Sequence, residues 1–163
     1  MSAGADMSAP CPFCGGVPQT YLESPRWLLL RHADPVALSG WMMVASRAHR
    51  AGLDELDDAE TAELGQVLRE VARAVRAETG CERTYTISFN EAVRHLHVHV
   101  IPRHASDATT TSWALADRYR ATARGECAPS AAAEATAQAV ADRLFQPLRA
   151  LGFERPSIRG SHA

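Results

Sequence analysis

Two hydrophobic periods take turns along the chain, and the switches between them outline its elements. Short runs rich in apolar and aromatic residues, bounded by Pro, Gly, Ser or Asp, predict strands at about Thr20 to Glu23, Trp27 to Arg31 and Trp41 to Ala45. The punctuated segment 32–40 separates the last two, so an antiparallel meander is the simplest arrangement. From about Asp57 to Thr79 the period changes. Leu64, Val67, Leu68, Val71 and Val75 recur at steps of three and four. Asp54, Glu55, Asp57 and Asp58 sit near the start, Arg69, Arg73 and Arg76 later, and Gly80 just past the end, which predicts an amphipathic helix with a core-facing stripe.

The run Thr84 to Phe89 is β-branched and aromatic and predicts a further strand. The short connection Asn90 to Arg94 then leads into His95-Leu96-His97-Val98-His99-Val100-Ile101-Pro102-Arg103, so the two runs are expected to pair as a hairpin. Side chains alternate across a strand, so this last run presents three imidazoles on one face and Leu96, Val98 and Val100 on the other. One face is core and the other is chemistry, because each imidazole is a nucleophile, a metal ligand and a proton carrier near physiological pH.

Beyond it, the polar segment from His104 to Ser112 reads as a mobile loop and Trp113 to Arg120 as a short helical turn. Pro129 and Ser130 introduce an alanine-rich helix to about Leu151, which Gly152 ends. Residues 1–9 and the tail 156–163 are expected to be flexible, leaving a single domain over 10–155. The fold class is α+β: an antiparallel sheet of about five strands with two main helices packed on it.

Composition narrows the function. At 163 residues, with 46% hydrophobic and 22% charged residues, the chain can bury a core without staples. Its formal charge of −2 supplies no positive field for nucleic acid, while small phosphorylated ligands remain open to it. Neither a membrane span nor a secretory signal is legible, so a cytoplasmic protein without membrane partners is expected. Cys11 and Cys14 stand two residues apart while Cys81 and Cys127 are isolated. This spacing fits a metal pair better than a disulfide framework. With Gly15 and Gly16 beneath it the pair reads as a zinc knuckle in need of two further ligands, although two buried thiols without metal satisfy the same spacing.

The alternation of histidines closed by Pro-Arg resembles the signature of the histidine triad (HIT) family of nucleotide hydrolases and transferases, and the resemblance spans Cys11 to Arg103. It implies a structural zinc held by Cys11, Cys14, His49 and His95, with His104 as a less favoured substitute for His95. It also implies that His97 takes a nucleoside monophosphate as a covalent phosphohistidine. Its other ring nitrogen would donate to a backbone carbonyl, and His99 would bond the phosphate or the departing group. Asn90 matches a family asparagine beside the phosphate, and a homodimer is the family habit. Two departures stand out. Only Glu91 to Arg94 separate Asn90 from the triad, where many members carry a longer Gly-rich stretch. His32, with Asp34 nearby, occupies the place of the acid that grips ribose. Phe13 and Trp27 are candidates for a base pocket, and Arg94 and Arg103 for added positive charge.

The expected activity is hydrolysis at the α-phosphate of a dinucleoside polyphosphate, phosphoramidate or acyl-nucleotide. A transferase or phosphorylase differs only in the acceptor. A noncatalytic zinc-containing nucleotide-binding module and a hydrolase with catalytic zinc on the three histidines are the remaining readings.

Overall fold

The computed structural model describes residues 11–91 and 93–157. The stretch 1–9 and residues 158–163 of the expected tail lie outside them. Five strands form one antiparallel sheet: β1 (Thr20–Glu23), β2 (Trp27–Arg31), β3 (Met42–Ser46), β4 (Arg83–Ile87) and β5 (His97–Arg103), in the order β1-β2-β3-β5-β4. The first three make the expected meander, and β4 and β5 the expected hairpin. β5 then inserts beside β3, pairing Met43 with His99 and Ala45 with His97. The histidines therefore lie at the middle of the sheet rather than at an edge.

Side-chain parity assigns the two faces. Trp27, Leu29, Met42, Val44, Val98 and Val100 point to one side, where helices α1 (Asp58–Thr79) and α3 (Ala133–Arg149) cover them in the main core. Leu28, Leu30, Met43 and Ala45 point to the other side with His97 and His99, and there Phe13 and Val17 of the N-terminal loop pack on them. Farther along this second face Trp41 and Ile101 meet Leu115 of α2 (Ser112–Ala123). With both faces covered, β3 is buried at every position and is apolar throughout apart from Ser46.

Helix α1 begins and ends as its sequence dictates. Asp57 accepts from the Glu60 amide at 2.8 Å while Glu60 accepts from the Asp57 amide at 2.9 Å, a reciprocal capping box. Gly80, at φ 65°, closes the helix in the left-handed region that a side chain disfavours. Glu60 is 3% exposed yet charged, and Arg50 bonds it at 3.0 Å. This pair ties the loop after β3 to the start of α1.

Several features differ from the sequence expectation, beyond shifts of one to three residues at the ends of β3 and α3. The triad strand starts at His97 rather than His95, because the Leu96 amide donates to Arg50 O (2.5 Å) instead of entering a ladder. β4 ends at Ile87, leaving Phe89 in the connection and 74% exposed. The turn expected at 113–120 is a twelve-residue helix, so three α-helices rather than two accompany the sheet. The segment 104–112 is pinned rather than loose: buried Thr110 donates to Asp107 O (2.7 Å) and accepts from the His104 amide (3.0 Å).

Glu60→Ala removes the Glu60 half of the capping box and leaves Arg50 without its buried partner. A loss of about 2 kcal/mol is expected in urea unfolding at unchanged m-value.

Candidate active site and metal centre

His95 lies just before β5 and is fully buried. Its Nε2 donates to the Ser46 carbonyl at 2.7 Å, leaving Nδ1 as the electron-pair donor, 3.4 Å from Cys11 Sγ and 3.7 Å from Cys14 Sγ. Cys14 Sγ is in turn 3.3 Å from His49 Nδ1, and the four donor atoms all lie within 4.8 Å of one another. A zinc ion with sulfur at about 2.3 Å and nitrogen at about 2.0 to 2.1 Å in a tetrahedron spaces neighbouring S and N ligands by about 3.5 Å, so this donor set fits the ion. Desolvation, with the neighbouring Cys11 thiol, holds the Cys14 thiol above its ordinary pKa, and a cation between the sulfurs reverses that preference. Burial, in contrast, pushes His95 down toward the neutral form that can ligate.

His49 reaches this cluster through a braced loop. The Arg50 carbonyl receives the Leu96 amide, the Arg50 guanidinium holds Glu60, and the Ala51 carbonyl accepts from Asn90 Nδ2 at 3.2 Å. Two of the metal-capable donors thus sit on backbone fastened to α1 and to the entry of β5.

His97 follows on the same face. Its Nδ1 donates to the His95 carbonyl at 2.7 Å, which leaves the Nε2 lone pair free. Phe13 stacks on both His95 and His97, with centroids 5.0 and 5.1 Å away, so the knuckle forms one wall beside the partly exposed His97 ring. His99 stands edge-on to His97 at 5.0 Å. The Trp41 indole N–H donates to His99 Nδ1 at 3.0 Å, and burial, with His97 and His32 nearby, pushes the His99 pKa down to about 3. His99 is therefore a neutral imidazole whose Nε2–H remains to donate.

The other candidates divide. His32 continues the parity of Leu28 and Leu30 and joins the histidine face, 4.5 Å from Trp41 and 5.6 Å from His99, and burial lowers its pKa. Asp34 turns away into a bidentate pair with Arg31 at 3.0 and 2.9 Å. Trp27 faces the opposite side of the sheet, fully buried in the helix-covered core, so it lines no base pocket. Arg103 is engaged by the segment after β5, donating to Thr110 Oγ1 at 3.3 Å, about 13 Å along the strand from His99. Asn90 sits at φ 53°, and its Oδ1 accepts from Ser88 Oγ and from the His97 amide. Its amide thus braces the entry to β5 while it borders a cavity of about 480 Å³ with Ala51, Phe89, Glu91 and Arg94. His104 lies beyond the far end of β5 and outside the four-donor cluster.

Sequence reasoning missed Trp41 and Tyr119 as wall residues, and Ser46 as the anchor of His95. Once β3 is known to pair with β5, the parity of residues 41, 43 and 45 identifies Trp41. Tyr119 carries no such signal because α2 packs on the sheet mainly through Leu115.

Comparison with known proteins identifies the fold and the family. A family model described as the HIT domain matches residues 18–106. Among solved structures, a Zn-bound histidine triad family protein from Mycobacterium smegmatis aligns over 86% of this chain and 96% of its own, at 20% identity and a TM-score of 0.63. A hypothetical histidine triad nucleotide-binding protein from Sulfolobus tokodaii aligns over 87% and 97%, at 18% identity and a TM-score of 0.62. A histidine triad protein from Bradyrhizobium japonicum aligns over 78% and 88%, at 22% identity and a TM-score of 0.57. Among curated proteins none matches the sequence. The identities speak for the fold alone, but the family model covers more than half of the residues, and the chain belongs to the HIT family.

Proposed function

We propose that the protein is a nucleotidyl hydrolase in which His97 attacks the α-phosphate of a nucleotide derivative. A covalent nucleotidyl-histidine forms, and water then releases a nucleoside monophosphate. The observation that carries the reading is the 2.7 Å bond from His97 Nδ1 to the His95 carbonyl, which fixes the tautomer with Nε2 free beside a second imidazole that can only donate. Phosphate esters repel anionic nucleophiles, and a neutral imidazole held in place avoids that repulsion while dividing the reaction into two steps. A dinucleoside polyphosphate, a nucleoside phosphoramidate or an acyl-nucleotide each offers a leaving group on the α-phosphate.

Cys11, Cys14, His49 and His95 would hold a structural zinc, and His97 and His99 stand apart from that donor set. When bound, the ion supplies a closed cross-link between the knuckle, the loop after β3 and the entry to β5. The chemistry at phosphorus rests on His97 and His99.

Two outcomes are expected. Incubation with an adenosine substrate labelled at the α-phosphate, followed by quench, leaves acid-labile, base-stable label on the protein. His97→Ala takes no label and loses turnover by about 10⁴-fold or more. Equal nucleotide binding with no label on the unaltered protein would instead make this a binding module. Metal analysis returns one zinc per chain, and Cys14→Ser weakens zinc binding by at least about tenfold and lowers Tm by several degrees.

A further inference from the structure

The wall around His99 carries an inference that rests on the hydrolase reading and sharpens it. Indole has one N–H and no acceptor, so Trp41 can only donate, and its 3.0 Å bond to His99 Nδ1 requires that nitrogen to be unprotonated. The ring proton of His99 is thereby confined to Nε2. The groups around the ring leave it neutral, and β4 pairs with His99 through the apolar Ile87. From β5 comes His97, whose own N–H is committed to a carbonyl. After β2 comes His32, whose Nδ1 donates to Ala33 O at 2.8 Å. Just before β3 stands Trp41, and on α2 Tyr119 lies edge-on to His32 at 5.4 Å. Of the nearby charges, Arg31 is shared between Asp34 and Glu134 of α3, each at 2.9 Å. Among the described residues no carboxylate bonds to His32, His97 or His99, so the protein itself supplies no counter-ion to an imidazolium at position 99.

We propose that Trp41 is a positioning residue that locks His99 as a permanent neutral donor, restricting the enzyme to leaving groups that depart as stable anions. Phosphoric or carboxylic–phosphoric anhydrides meet this condition; phosphoramidates of aliphatic amines do not. In the first step the His97 Nε2 lone pair forms the N–P bond as the P–O bond breaks, and the electron pair stays on the departing oxygen. His99 Nε2–H bonds to that oxygen and keeps its proton. The His97 ring retains Nδ1–H against the His95 carbonyl and carries the positive charge. Water then attacks phosphorus, the N–P pair returns to Nε2, and the proton of the water passes to bulk solvent. An amine leaving group needs a proton on nitrogen as its bond breaks, and this wall does not supply one.

The test uses the full-length, zinc-loaded protein. With ring-¹⁵N-labelled histidine, long-range ¹H–¹⁵N correlation is expected to show His99 with an unprotonated Nδ1 and a protonated Nε2 from about pH 6 to about pH 8. Across adenosine 5′-phosphate aryl esters of graded phenol acidity, kcat/KM is expected to fall at least about fivefold per unit rise in leaving-group pKa. Acetyl-adenylate is expected to exceed the alkylamine phosphoramidate by about 10³-fold. Tyr119→Phe controls for the hydroxyl on this wall and should leave the slope unchanged. A protonated His99 Nδ1, a flat slope, a steeper slope in Tyr119→Phe, or an amine substrate within tenfold of the anhydride would overturn the proposal. Failure to turn over any ester or anhydride, with no label on His97, would overturn the hydrolase reading instead, and the His99 nitrogen shifts would then decide the role of Trp41 by themselves.

Discussion

One residue, His95, is fixed from three directions, and the reactive face depends on it. Its Nε2 is bonded to Ser46 O, its Nδ1 faces two cysteines, and its carbonyl receives the ring N–H of His97. The first two contacts hold the ring and, through it, the backbone. The third converts that rigidity into a single tautomer two residues on. A histidine at position 97 on a loosely held strand would exchange tautomers and rotate; here its free lone pair has one direction.

The surrounding frame serves the same end. Glu60 completes the capping box that Asp57 opens on α1, and as a nearly buried carboxylate it also holds Arg50. Arg50 and Ala51 offer their carbonyls to Leu96 and Asn90, so the loop carrying His49 and the connection carrying the triad are braced against one another. Removing a piece of this frame leaves a buried charge or an unpaired amide behind, which explains why polar residues are tolerated so close to the core. Trp41 does on the far side of His97 what Ser46 does on the near side: each commits one nitrogen of a neighbouring imidazole by hydrogen bonding.

Much of this is legible in the sequence. The cap residues of α1, the β-branched run of β4 and the strict alternation through β5 are local signals, and the elements formed where those signals stood. The misses are non-local. Trp27 reads as an aromatic near the site until its parity with Leu29 places it under the helices. His95 reads as the first strand residue until the Leu96 amide is found bonded to Arg50. Helix α2 buries little beyond Leu115 and Thr122, so its stripe is too short to register as a helix of twelve residues. Asp34 looks available in the sequence, and only geometry shows both its oxygens taken by Arg31.

The central claim is that the His95 carbonyl leaves only Nε2 of His97 able to bond to phosphorus. One-bond ³¹P–¹⁵N coupling in a quenched nucleotidyl-enzyme made with ring-¹⁵N-labelled histidine reports which nitrogen carries the phosphorus. Coupling to Nε2 of His97 is the result this account predicts; coupling to Nδ1, or to a ring other than His97, would contradict it.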